Sequence, residues 1–333
     1  MKSILIDKGI EKIATDYRDE VKSLPNIYSE LNCLEKELHR QGLTNEEDYV
    51  QTIRINLEEI LTKKPEDYGT FHISLFSKYD EGENKAVDMT QERILADSSG
   101  TKHKLKMYMH IVNALQYDIV QEKIFPRYAQ KLGIRSCVYC NAQFAVSAKK
   151  GKTDYGKRYI STYTIDHWRP KSVYPYLAVA FYNLYPCCSA CNQAKSNKTI
   201  DRSLYCQVVT DVNPYEFRLD DQSYLDYLVN WKHEMLKIKF LDKNNGQPPK
   251  QYDDFFHITK LYNNFTPEVE EVLWRKRIYN PDMVEAMKQS GVYVLMPQDV
   301  KRFVIGNYDK EEDILKRPLA KLIQDIAKQL GFF

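Results

Sequence analysis

Two cysteine pairs, Cys137-Val-Tyr-Cys140 and Cys188-Ser-Ala-Cys191, are set 48 residues apart, while Cys33 and Cys206 stand isolated. In a reducing compartment this spacing reads as metal binding before it reads as disulfide. Two Cys-x-x-Cys knuckles supply four soft thiolates, enough to close a tetrahedral Zn²⁺ site with no open position, so the zinc would hold shape rather than react. Cys187 could displace Cys188 in that set, but the two-residue spacing favours Cys188. Between the knuckles runs Thr164-Ile-Asp166-His167-Trp168-Arg169-Pro170-Lys171. Of the seven histidines only His167 adjoins an acid in this cysteine-rich stretch. An aspartate can hold a hard divalent ion such as Mg²⁺, and a neutral imidazole can take a proton from water at cellular pH. Adjacent strand residues face opposite ways, so Asp166 and His167 need a bend or a strand end to converge, and Pro170 offers one. Downstream come Asn183, then Asn192, Lys195 and Lys198 directly after the second knuckle. On a helix beginning near Cys191, Asn192 and Lys195 share a face.

The elements that must position these residues differ along the chain. Gly9 to Ser23, Ile27 to Arg40 and Glu46 to Thr62 place apolar residues at helical intervals, with Asn45 as an N-cap. From Lys78 to Lys104 hydrophobicity falls, and a long mobile connection is expected. Helical periodicity resumes at Leu105 and stops at Gly133. The texture then turns to β-type runs, Phe144 to Val146 and Tyr159 to Ile165, around a basic turn, with a short helix from Ser189 to Lys198. Strand, strand and short helix around clustered cysteines make a small metal-built module. Helical patterning returns over Ser223 to Lys237, His257 to Tyr262, Pro267 to Tyr279 and Arg317 to Leu330. In the last, Leu319, Leu322, Ile323, Ile326, Ala327 and Leu330 form one stripe, read as ordinary core. The expected class is α+β, mostly α: helical regions at 1–130 and 206–333 flank a zinc-stapled module at 131–205.

Charge sharpens this division. The 333 residues carry 48 Lys and Arg against 46 Asp and Glu, yet residues 131 to 202 hold 12 basic residues against only Asp154, Asp166 and Asp201. A local surplus of that size suits a polyanion, although Lys149, Lys150, Lys152 and Lys157 read equally well as a solvated turn. With 43% hydrophobic and 28% charged residues, disorder and fibre are excluded. No apolar run approaches the ~20 residues that span a bilayer, and the first residues lack a secretory core, so a cytoplasmic protein is expected.

Taken in order, Cys137-x-x-Cys140, Asp166-His167, Asn183 and Cys188-x-x-Cys191-Asn192-x-x-Lys195 resemble the HNH endonucleases, in a variant with two zinc knuckles. The resemblance covers about residues 135 to 200. It implies a ββα-metal, treble-clef-like core that cleaves phosphodiester bonds of nucleic acid, DNA ahead of RNA. His167 would be the general base, Asp166 and Asn192 the ligands of a catalytic Mg²⁺ or Mn²⁺, and Asn183 the group that orients the His167 ring. Asn192 stands where the family name has a second His, which leaves the metal preference open. Arg169, Lys171, Lys195 and Lys198 would hold phosphates, while Trp168, Tyr174 and Tyr176 read as packing before base stacking. The phrases Tyr174-Pro-Tyr-Leu and Arg302-Phe-Val-Ile-Gly-Asn-Tyr308 are similar to HNH proteins encoded beside an ATPase, including the nuclease subunit of Septu-type anti-phage systems. That likeness implies an ATPase partner. The alternative is a catalytically silent zinc module that binds nucleic acid or a partner protein.

Overall fold

A computed structural model of the chain describes residues 2–80, 85–153, 156–289 and 297–332. The fold is mixed α and β, 54% helical with small sheets. Strand β1 (Ile4–Leu5) leads into the helix Lys8–Lys22, whose N-cap Asp7 accepts the Ile10 N–H at 2.8 Å. The helices Ile27–Arg40 and Thr44–Ile55 bury Leu31, Leu34, Leu38, Tyr49, Val50 and Ile53. The second starts at Thr44 with Leu43 as its cap, so Asn45 lies inside the first turn and caps nothing.

The connection expected over Lys78 to Lys104 contains a hairpin instead. Strands β2 (Glu92–Ala96) and β3 (Lys102–Lys106) pair antiparallel. Asp97 shapes the turn by accepting the Ser99 and Thr101 N–H groups at 2.9 and 3.0 Å, and Gly100 supplies φ +83°. Along both strands only Leu95 is buried, so the hairpin lacks the apolar alternation by which strands are read.

The helical stretch beyond it breaks at Gln116, where φ is 54°, and continues through a π-helical turn at Val120–Ile124 to Lys131. Gly133, at φ +69°, ends it. Strands β4 (Ser147–Thr153) and β5 (Gly156–Ser161) then form the basic hairpin, running further into the turn than its composition suggests. Of Lys149, Lys150, Lys152 and Lys157, only the exposed Lys149 side chain lies within the described residues. Strands β6 (Thr164–His167) and β7 (Leu184–Cys187) pair antiparallel, and the helix Ser189–Lys195 follows at once. Strand β8 (Tyr205–Cys206) runs parallel to β1, tying the beginning of the chain to the end of the cysteine-rich stretch.

In the last third, β9 (Tyr215–Leu219) and β10 (Ile238–Asp242) form an antiparallel pair around the helix Asp221–Asn230, so the helical pattern seen over Ser223 to Lys237 ends early. The terminal stripe is core: Leu322, Ile323, Ile326 and Ala327 are buried in the helix Ala320–Gln329. One hydrophobic cluster runs from Ala14 through the cysteines to Ala327. Among the described residues, no helix is long and apolar enough to cross a membrane.

Candidate metal centre and the Asp166–His167 site

The two knuckles meet. The sulfurs of Cys137, Cys140, Cys188 and Cys191 all lie within 4.8 Å of one another, and all four residues are buried. Tetrahedral zinc with ~2.3 Å bonds to sulfur sets its ligand sulfurs about 3.8 Å apart, close to the 4.0 Å between Cys140 and Cys188. The four thiols can therefore hold a metal such as zinc. Hydrogen bonds from Cys137, then from Cys140 and Cys191, push the Cys188 thiol far down, the response of a cluster that must share negative charge. Cys187 is buried beside this set but outside it, with its sulfur 3.8 Å from the Thr164 hydroxyl.

The cluster is sealed from the far end of the chain. The Tyr252 and Tyr262 hydroxyls donate to the carbonyls of Tyr139 and Cys140 at 2.7 and 2.5 Å. Asn141, at φ 54° directly after the first knuckle, donates to Ser136 and to the Ile314 and Arg317 carbonyls and accepts the Lys321 N–H. Asparagine tolerates this left-handed turn, and burial obliges its amide to find these partners.

On β6, Asp166 sits opposite Tyr185 and His167 opposite Leu184. The two side chains find different neighbours. Asp166 accepts a short hydrogen bond from the Tyr139 hydroxyl, and the Lys195 ammonium lies 3.2 and 3.1 Å from its two oxygens. Each knuckle thus sends one side chain to this carboxylate: Tyr139 from inside the first, Lys195 from the helix that begins within the second and carries Cys191. Lys195 also donates to the His167 carbonyl at 2.7 Å and is wholly buried. Burial pushes the Asp166 carboxyl up, and Lys195 and Tyr139 pull it back. Tyr139→Phe is expected to destabilise the fold by about 1–3 kcal/mol, because it leaves a buried acceptor short of a donor. Urea unfolding would measure this, and an unchanged midpoint would show the bond to be dispensable.

His167 turns to the loop between β6 and β7. Its Nε2 lies 2.9 Å from the Ala178 carbonyl oxygen, and its ring packs 5.0 Å from that of Tyr117. A carbonyl only accepts, so Nε2 carries the hydrogen and Nδ1 keeps the basic lone pair. Burial, helped by Lys171, pushes the imidazole down to about 3. An unfolded histidine takes its proton near pH ~6.5, so between those values the unfolded chain holds a proton that the folded chain refuses. The stability contributed by neutral His167 is complete above pH ~6.5 and drains as pH falls toward about 3, at up to roughly 1.4 kcal/mol per unit. His167→Asn is expected to flatten that part of the curve. Urea midpoints for both proteins between pH ~7 and ~4 check it, and parallel curves would show that the folded ring takes up its proton just as the unfolded one does.

Asn183 does not touch the ring. Its buried amide accepts the Arg169 N–H at 2.7 Å and donates to the Arg169 and Leu177 carbonyls at 3.1 and 3.0 Å. It therefore clamps the loop that presents the Ala178 carbonyl, and so positions His167 at one remove. The expected phosphate-binding role of Lys195 is also corrected, since an ammonium buried against Asp166 is not available to a ligand from solvent. Arg169 and Lys171 are half-exposed, lying 4.4 Å over the Trp168 ring and 4.3 Å over the Tyr117 ring, and Lys198 is exposed. Trp168 and Tyr176 are buried, with the Trp168 indole donating to the Ile200 carbonyl at 2.8 Å, so both pack. A carboxylate and an amide suit a hard divalent ion, and Asp166 already balances one buried cation. Asn192 stands half-exposed one turn before Lys195. Asp166 and Asn192 are donors of the type such an ion takes, and in this structure Lys195 and Tyr139 occupy the Asp166 oxygens.

Tyr139, Asn141 and Tyr117 escape a reading by motif. The available signals were the tyrosine inside the first knuckle and an asparagine at the residue where such a knuckle turns. No family model matches the chain, and neither does any curated protein or solved structure.

Proposed function

We propose that the chain is a metal-dependent nuclease of the HNH kind, hydrolysing phosphodiester bonds of nucleic acid, DNA ahead of RNA, with a structural zinc at its cysteine cluster. The observation that carries this reading is the way the His167 ring is held. Its Nε2–H is fixed on the Ala178 carbonyl at 2.9 Å, leaving Nδ1 as the single nitrogen able to take a proton. An entering phosphodiester brings negative charge beside the ring and raises its basicity toward what water activation needs. Of the four cations expected to hold phosphate, Arg169, Lys171 and Lys198 remain accessible. Asp166 and Asn192 would hold the divalent ion, which supplies positive charge at the leaving oxygen. The order of β6, β7 and the cysteine helix supports a ββα-metal core. A role in anti-phage defence beside an ATPase belongs to the same proposal.

The test is to incubate the protein with supercoiled plasmid and with RNA in Mg²⁺ or Mn²⁺, alone and with any ATPase encoded beside it. Cleavage supports the reading, and its absence under every condition sinks it. The engaged state of Asp166 favours one competing reading, a silent zinc module that only binds nucleic acid. Salt-sensitive binding without cleavage, together with an Asp166→Ala variant that binds as wild type does, would mark that case.

A further inference from the structure

The Lys195 side chain is fully buried, and its ammonium spends its donors on the two Asp166 oxygens, at 3.2 and 3.1 Å, and on the His167 carbonyl, at 2.7 Å. Such a lysine is a counter-ion, because a buried ammonium persists only when its charge and its hydrogens are satisfied. A divalent cation on the same carboxylate would sit within a few ångströms of that ammonium, where little water screens their repulsion, so the two cannot share Asp166. We propose that Lys195 is the resting counter-ion of Asp166, that a divalent cation binds there only by displacing it, and that Lys195 therefore sets the metal affinity of the site. This rests on the metal-binding part of the reading above. Two features of the same helix agree with it. Asn192 lies three residues earlier on the same face, half-exposed, as a second oxygen donor for an incoming ion. Ser196, directly after Lys195, stands at φ 49° and ψ −131°, where side-chain-bearing residues are strained, so the end of the helix that must let go is already under tension.

The experiment titrates Mn²⁺ into the zinc-loaded full chain and follows the free-ion paramagnetic resonance signal, comparing wild type with Lys195→Met and Asp166→Asn. Removing the competitor is expected to tighten Mn²⁺ binding at least ~10-fold, and Asp166→Asn to weaken it at least ~10-fold. Mn²⁺ should also raise the melting temperature of Lys195→Met more than that of wild type, since a ligand that binds only the folded state stabilises in step with its affinity. A folded Lys195→Met protein that binds Mn²⁺ no better than wild type overturns the proposal, as does unweakened binding by Asp166→Asn. If Lys195→Met does not fold, a pulse of acetylating reagent on wild type decides the matter. Lys195 should be modified several-fold faster with Mn²⁺ present, and an unchanged rate overturns the proposal. A wild type that binds Mn²⁺ in this manner yet cuts no nucleic acid sinks the nuclease reading and leaves the displacement standing.

Discussion

Replacing Cys140 or Cys188 with serine is expected to release the bound metal and unfold the region from the first knuckle through β8, with a loss on the order of 10 kcal/mol. The size follows from what the cluster does. Four buried sulfurs within 4.8 Å join the segment before β4 to the helix after β7, and no disulfide shares that task, since all seven cysteines are free. Through Tyr139 and Lys195 the same two segments hold Asp166 and the backbone of His167. Loss of one ligand should therefore reach the Asp166–His167 site as well. Circular dichroism melts with zinc content measured by atomic absorption would check this. A serine variant that melts like wild type with no metal bound would mean that the thiols merely pack.

On the proposed nuclease reading, His167→Ala is expected to lower nucleic acid cleavage by about 10²–10⁴-fold, the usual worth of a positioned acid or base, while any zinc at the cysteine cluster stays bound at the wild-type ratio. The contrast with the cysteine variants separates chemistry from architecture. Some stability will go as well, about 1–3 kcal/mol, because the Ala178 carbonyl loses its buried donor. Rates therefore belong well below the variant's melting temperature. Equal cleavage by the variant and wild type would remove His167 from the reaction.

The cysteine cluster was legible in the sequence because its information is local: two spacings and a soft-ligand chemistry specify partners without knowledge of the fold. The terminal stripe was legible for a similar reason, since its periodicity matches the face it buries. Lys195 was not. A lysine on a short helix in a basic stretch reads as surface, and its burial is decided by an aspartate 29 residues earlier. Asn183 was expected to orient the His167 ring directly, and only the folded loop shows that its amide holds the backbone that in turn holds the ring. The β2–β3 hairpin was missed since turn geometry at Asp97 and Gly100, rather than apolar alternation, organises it. The β9–β10 pair was hidden for another reason: its partners are separated by a helix whose pattern dominates the window.

The tyrosines that close over the first knuckle impose an order on biosynthesis. When Cys191 leaves the ribosome every sulfur ligand has been made, yet Tyr252, Tyr262 and Lys321, which pin the knuckle backbone and Asn141, have not. At ~5–20 residues per second the nascent chain spends on the order of ten seconds with its metal ligands assembled but uncovered. A metal taken up by the four sulfurs would thus enter during translation and be locked only near its end, and in a product truncated before Tyr252 it would stay exchangeable.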